Sequence, residues 1–255
     1  MRTLKINNTT KVAVPDNKLA FDNIYAKKVW GDAGGGSGVG SDIIKAATTG
    51  YILELVLIKY ALTSLLDSPC GGVTHSWMRV AITRIRSHIP CFHYHGVDVV
   101  DTVIQRNKQC FKNHHWAEFT TLDLSSPTIS LPTNYGLILS RDALQHLPYA
   151  SIAGALSTYC NAKAQYLLVG TYLDHNDNRN IKSGEYFSIN LLHPPFSFPQ
   201  PFEIYNETNV DNLTNKYLLL YHLPELCASK PLQAFVNTYT TPAVVTTSCT
   251  SHLRG

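Results

Sequence analysis

No long block of one charge interrupts this chain, no apolar run approaches the ~20 residues that a membrane-crossing helix needs, and no Cys-x-x-C or Cys/His cluster stands at zinc spacing. Each absence removes a class of function. With 21 basic and 18 acidic residues among 255, the net charge of +3 is spread without a basic stripe, so nucleic acid is not an expected partner. The missing apolar run removes a membrane span, and the opening Met-Arg-Thr-Leu-Lys-Ile-Asn-Asn has no apolar leader core. Cys70, Cys91, Cys110, Cys160, Cys227 and Cys249 lie far apart and read as reduced, mostly buried thiols; a cytoplasmic location and no metal site are the expectation. The single glycine run is not a phosphate loop, because no Gly-Lys-Ser/Thr follows it and no strand precedes it.

What is present is a chain that is 44% hydrophobic and 15% charged, enough to bury one sizeable core. Residues 1–20 are polar and weakly patterned and read as a loose extension. Phe21, Ile24, Tyr25 and Val29 predict a short helix over 21–31, and the run from Gly34 to Ser41 predicts a loop. Ile43, Ala46, Ala47, Ile52, Leu55, Val56 and Ile58 predict a helix within 42–62, with Gly50 as a break, so that 21–62 forms an entry segment or lid. From Ser64 the pattern alternates. Strands are expected near 64–67, 93–98, 118–121, 136–141 and 165–171, and helices at 75–86, 101–112 and 148–160. That rhythm predicts an α/β fold with a doubly wound, mostly parallel sheet. Two further strands, FEIYNE and KYLLLYHL, follow without a helix between them and predict an antiparallel finish. The main domain is placed at 21–230, and 231–255 is read as a tail without assignable structure.

Four apolar segments end in an acid: Leu65-Leu66-Asp67, Tyr94 to Asp98, Phe119 to Asp123, and Leu137 to Asp142. Carboxylates at successive strand ends are how an open parallel sheet lines its ligand crevice. Taken singly, each acid is as well explained as a cap of a turn or helix.

The order of these features resembles the class I S-adenosylmethionine-dependent methyltransferases, over about residues 22–226. The resemblance implies a Rossmann-like seven-stranded sheet with an antiparallel C-terminal strand, and S-adenosyl-L-methionine as cofactor. It puts Asp67, Cys70 and Gly71 at the acidic, Gly-rich turn that approaches the methionine part, with Pro69 and Val73 at two of the family's three glycine places. It puts Asp98, followed by Val99, at the acid that takes both ribose hydroxyls, and Asp123 with Leu124 at the adenine. The entry block Val29-Trp30-Gly31 with Ser37-Gly38 is similar to a smaller group that includes viral glycan-building enzymes, in which such a loop folds over the cofactor.

Arg141-Asp142-Ala143-Leu144-Gln145-His146-Leu147-Pro148 resembles the family's segment bordering cofactor and acceptor. Asp142 and His146 are four apart and share a helical face, so either is placed to accept a proton, with Asp142 the preferred base and Arg141 beside it. The expected acceptor is a hydroxyl of a small molecule or sugar, held by the polar stretch Tyr172 to Asn180 and by the faces of Tyr186, Phe187 or Phe196. Two alternatives stay open: a methyltransferase-like binding protein without catalysis, and a nicotinamide-dependent oxidoreductase. The second is disfavoured because the glycine run lacks G-x-G-x-x-G spacing and precedes the first strand.

Overall fold

The apolar runs that follow Ser64 build a seven-stranded sheet, as seen in a computed structural model that describes residues 16–126, 131–207 and 215–240. The strands are β1 (Ser64–Asp67), β2 (His93–Asp98), β3 (Ala117–Thr121), β4 (Leu137–Ser140), β5 (Tyr166–Tyr172), β6 (Glu203–Asn206) and β7 (Lys216–His222), in spatial order β3-β2-β1-β4-β5-β7-β6. β1 to β5 are parallel, and β7 runs antiparallel between β5 and β6. These are the strands the sequence predicts.

The central strands read as continuous apolar runs because helices cover both faces. Alternation then sorts each side chain. Leu65, Leu137, Leu139, Leu168, Leu218 and Leu220 face a core shared with α2 (Ala47–Lys59), α3 (Trp77–His88) and Ile104 of α4 (Asp101–Cys110). Leu66, Ile138, Leu167, Val169 and Leu219 face the opposite core, under α5 (Tyr149–Asn161), α6 (Leu223–Ala228) and α7 (Lys230–Thr240). Each leucine sealed this way contributes about 1.5–3 kcal/mol. Gly50 does not break α2: it lies inside the helix and faces Ala81 and Trp77 of α3.

Three expectations are corrected. The first helix, α1, runs Asn17–Ala26 with Asp16 accepting from the Leu19 N–H as its cap, so residues 17–20 are structured; residues 1–15 lie outside the described part. The tail reading fails for 231–240. Leu232, Phe235, Val236 and Tyr239 recur at helical spacing within the Thr-rich stretch and seat α7 on α5, with Phe235 4.7 Å from Phe196; 241–255 lie outside the described residues. The reading of six reduced thiols also fails, because Cys160 of α5 is bonded to Cys227 of α6 across 67 positions, while Cys70, Cys91 and Cys110 are free and Cys249 is outside the described residues. That bond removes the premise on which a cytoplasmic location was expected. Closing so long a loop is expected to contribute about 2–4 kcal/mol, so thermal unfolding of Cys160→Ser, or of the reduced protein, should show a lower midpoint. An unchanged midpoint under reductant would mean the two thiols are unpaired. No helix among the described residues is long and apolar enough to cross a membrane.

Candidate functional site

β1 leads to β2 on one side and sits beside β4 on the other, so the sheet reverses its winding there and leaves a crevice at the strands' carboxyl ends. One cavity occupies it. Asp67, Cys70, Gly71, Asp98, Val99, Asp123, Leu124, Arg141, Asp142 and His146 all line it, as do Trp30 and Ser37 from the entry segment. Gly38 does not: it packs beneath Trp30, where a Cβ would come within 3.3 Å of the tryptophan's own.

The acids differ in surroundings. Asp98 is buried and accepts from the Gly71 N–H at 3.0 Å with one oxygen and from the Val100 N–H at 3.0 Å with the other, tying the β1 turn to the end of β2. Burial pushes its carboxyl up to about 6. Asp67 accepts from the Tyr94 hydroxyl at 2.6 Å, and burial, with Asp98 nearby, raises it to about 7. Asp123 lies closer to solvent and accepts from the Ser125 N–H at 3.0 Å and its hydroxyl at 2.7 Å. The N–H groups of Gly71, Val99 and Val100 all favour the ionised carboxylate, and a carboxylate has about four acceptor sites, so the site can still receive a hydroxyl donor. Burial, with Asp98 and Asp67 nearby, pushes the Cys70 thiol well up, the opposite of what activates a cysteine.

A lid closes the cavity from above. Asn17, buried at one end of α1, donates to the Ser125 hydroxyl at 2.7 Å and accepts from the Ser183 hydroxyl at 2.6 Å. At the other end the Tyr25 hydroxyl meets Ser37 Oγ at 2.8 Å, and Ser37 in turn accepts from the Gly72 N–H at 2.9 Å. The Gly/Ser run forms two 3-10 turns, Ala33–Gly36 and Val39–Ser41, laid backbone to backbone on the β1 turn. Gly72 makes that approach possible, because a Cβ on it would fall 2.6 Å from the Gly34 carbonyl oxygen, and the serine that ties the lid down sits against Gly71. The φ of Gly71 is +56°, and a Cβ on it would fall 2.5 Å from Ser37 Oγ. Gly71→Ala is therefore expected to cost about 1–3 kcal/mol and to displace the lid, read as a lower unfolding midpoint together with weaker ligand binding.

At the far end of the cavity four charges neutralise one another. Arg141 donates to Glu207 at 2.6 Å, reaches Asp142 at 3.0 Å and also holds the Gly40 carbonyl of the lid; Lys216 pairs with Asp142, and Thr49 donates to Glu207. Gln145 adds a bond to Asp142 at 2.8 Å. The Arg141 and Lys216 charges hold the Asp142 carboxyl far below the usual range despite its burial, which makes it a weak base. His146 is different. Its Nδ1 lies 2.9 Å from the Glu185 carbonyl, an acceptor, so Nδ1 carries the proton and Nε2 keeps the lone pair. Burial lowers its pKa below 6.5, and its ring packs tilted against Trp30, 4.7 Å between centroids.

The polar stretch after β5, expected to hold an acceptor, is not part of the cavity lining. Its side chains brace neighbouring backbone. Asn178 donates to the Asn190 and Pro194 carbonyls and accepts from the Asn190 N–H, Asn180 accepts from the Tyr149 N–H, and Asp174 accepts from Asn215. Phe187 and Phe196 are core, 2% and 0% exposed.

Sequence reasoning missed Asn17, Phe21 and Tyr25 as cavity-lining groups, although the helix carrying the last two was partly visible. It also missed Tyr159, whose hydroxyl bonds the Ser68 carbonyl at 3.1 Å and Ser140 Oγ at 3.2 Å beneath the site. Only the Asp16 cap ahead of Asn17 offered a signal.

No protein-family model and no curated protein matches this sequence. Solved structures do. The 1,6-didemethyltoxoflavin-N1-methyltransferase of Burkholderia thailandensis, solved with bound 1,6-didemethyltoxoflavin and S-adenosylhomocysteine, is similar at TM-score 0.58 and 11% identity, covering 83% of this chain and 91% of that one. The magnesium protoporphyrin IX methyltransferase of Synechocystis PCC 6803, solved with S-adenosylmethionine, gives TM-score 0.51 and 14% identity over 83% of this chain and 98% of that one. Human N-acetylserotonin methyltransferase gives TM-score 0.48 at 14% identity; the match spans 81% of this chain and only 56% of the human one. At such identities the likeness speaks of architecture, and the architecture is the seven-stranded, Rossmann-like α/β fold of the S-adenosylmethionine-dependent methyltransferases.

Proposed function

We infer that this chain binds S-adenosylmethionine in the cavity at the carboxyl ends of β1, β2 and β3 and transfers its methyl group to an acceptor oxygen. The observation that carries the reading is the convergence of Asp67, Asp98 and Asp123 on one cavity, beneath a lid built on the Gly71-Gly72 turn. The donor set suits the ligand: a buried carboxylate with spare lone pairs for a diol at Asp98, a backbone turn without side-chain bulk at Gly71, and an acid beside Leu122 and Leu124 for an adenine. When bound, the cofactor supplies an electrophilic methyl on a sulfonium, so the protein's task is position and proton removal.

His146 is the group suited to that proton. Glu185 fixes its tautomer, the lowered pKa keeps Nε2 unprotonated at neutral pH, and Trp30 holds the ring. Asp142, the base preferred from sequence, is assigned a different role: with Lys216, Arg141 and Glu207 it anchors the lid and the last two strands around the acceptor end. Pro69, which has no N–H to offer a ligand, favours a second reading, a methyltransferase-like protein that binds a partner without catalysis. Calorimetry with S-adenosylmethionine, S-adenosylhomocysteine and NADH tests the first part, and labelled methyl transfer to a panel of small hydroxyl compounds tests the second. Binding of neither sulfur ligand at millimolar concentration would overturn the reading and favour the non-catalytic rival, and binding of NADH alone would overturn both.

A further inference from the structure

The acceptor end of the cavity is walled by rings. Phe21 and Trp30 lie 5.9 Å apart, Trp30 and His146 4.7 Å, and Leu147 adjoins them; all four are partly exposed and line the cavity. The ring row continues outward from His146 to Tyr186 at 5.6 Å. Apart from the Ser41 hydroxyl of the lid, the groups that would serve a polyhydroxylated or charged acceptor are already occupied. Of the cations nearest this end, Arg141 is paired with Asp142 and Glu207 and Lys216 with Asp142, so the quartet presents no net charge. Gln145 donates to Asp142, His146 Nδ1 donates to Glu185, and the Asn-rich loop after β5 supports backbone elsewhere. A ligand bringing many hydroxyls would leave most of them unpaired, and an ionised one would find no counter-charge. A flat apolar ring would meet aromatic faces, with one hydroxyl satisfied by the remaining nitrogen of His146.

We propose that the acceptor is an uncharged, planar aromatic or heteroaromatic compound carrying a hydroxyl, seated among Phe21, Trp30, His146 and Leu147. This rests on the methyltransferase reading of the same cavity. In the transfer step the acceptor oxygen forms the new bond to carbon, the carbon–sulfur bond breaks with its electron pair passing to sulfur, and the hydroxyl proton passes to His146 Nε2, so charge and atoms balance.

The test uses the full chain and titration calorimetry, with and without saturating S-adenosylhomocysteine, against 2-naphthol, 2-naphthoate and methyl α-glucoside. Expected is binding of 2-naphthol at least 10-fold tighter than of either other probe. Trp30→Ala should weaken 2-naphthol at least 10-fold and Trp30→Phe should restore most of it. Tighter binding of methyl α-glucoside or 2-naphthoate, or undiminished 2-naphthol binding in Trp30→Ala, overturns the proposal while binding of S-adenosylhomocysteine leaves the cofactor reading standing. Failure of S-adenosylhomocysteine to bind the unaltered chain overturns both.

Discussion

Replacing Asp98 with alanine is expected to weaken S-adenosylmethionine by roughly 10²- to 10⁴-fold. Two charge-assisted hydrogen bonds to a diol contribute about 1.5–3 kcal/mol each, and every 1.4 kcal/mol is a factor of ten in affinity. The loss is compounded, because the same carboxylate accepts from the buried N–H groups of Gly71 and Val100 and so shapes the turn the ligand lies against. The unaltered protein carries its own pH signature. Hydroxyl donors favour the ionised carboxyl, so binding releases a proton wherever free Asp98 is protonated; with its pKa raised to about 6, affinity should hold above neutral pH and fall as pH drops below about 6. Calorimetric Kd values from pH 5 to 8 for the unaltered protein and the alanine variant measure both effects. A variant that binds as well as the parent would remove Asp98 from the ribose site.

His146→Ala is expected to lower kcat by about 10²–10⁴-fold, the usual worth of a positioned base. The sign of its pH dependence follows from burial. The imidazole works unprotonated and its pKa lies below 6.5, so the rate should be level at neutral pH and fall only on the acid side of that value. Asp142→Asn should behave differently. Removing that carboxylate leaves Arg141 and Lys216 facing only Glu207, which is expected to cost roughly 3 kcal/mol in stability and to loosen the lid held through Gly40. Rate–pH profiles and unfolding midpoints of the two variants separate a base from an anchor. An acid limb that survives His146→Ala and vanishes in Asp142→Asn would reverse the assignment.

How much of this was legible follows from the range of the forces involved. The strands were legible because a sheet covered on both faces demands unbroken apolar runs, and Leu65-Leu66 or Leu137-Ile138-Leu139 satisfy that locally, whichever face each residue meets. The acids that end β1 and β2, and those just beyond β3 and β4, were legible for the same reason: the chain must leave the sheet there. α7 was readable at helical spacing through Leu232, Phe235, Val236 and Tyr239 but was hidden by the Thr-rich composition around it. The Cys160–Cys227 bond, the Asn17 contacts to Ser125 and Ser183, and the pairing of Arg141 with Glu207 join positions 66 or more apart and leave no period in the sequence.

By itself, then, the sequence determined the order of elements and the placing of Asp67, Asp98 and Asp123 at or just beyond the ends of β1, β2 and β3, because hydrophobic periodicity and turn chemistry act over a few neighbouring residues. The tertiary structure decided how the groups near those acids are paired. Asp142 looked like the base in the chain and is neutralised by Lys216 from β7 and by Arg141, itself held by Glu207 beyond β6, whereas His146 gains its tautomer from Glu185 and its seat from Trp30. A carboxylate's basicity is set by the charges packed around it in space, and those arrive only when distant strands close on one another.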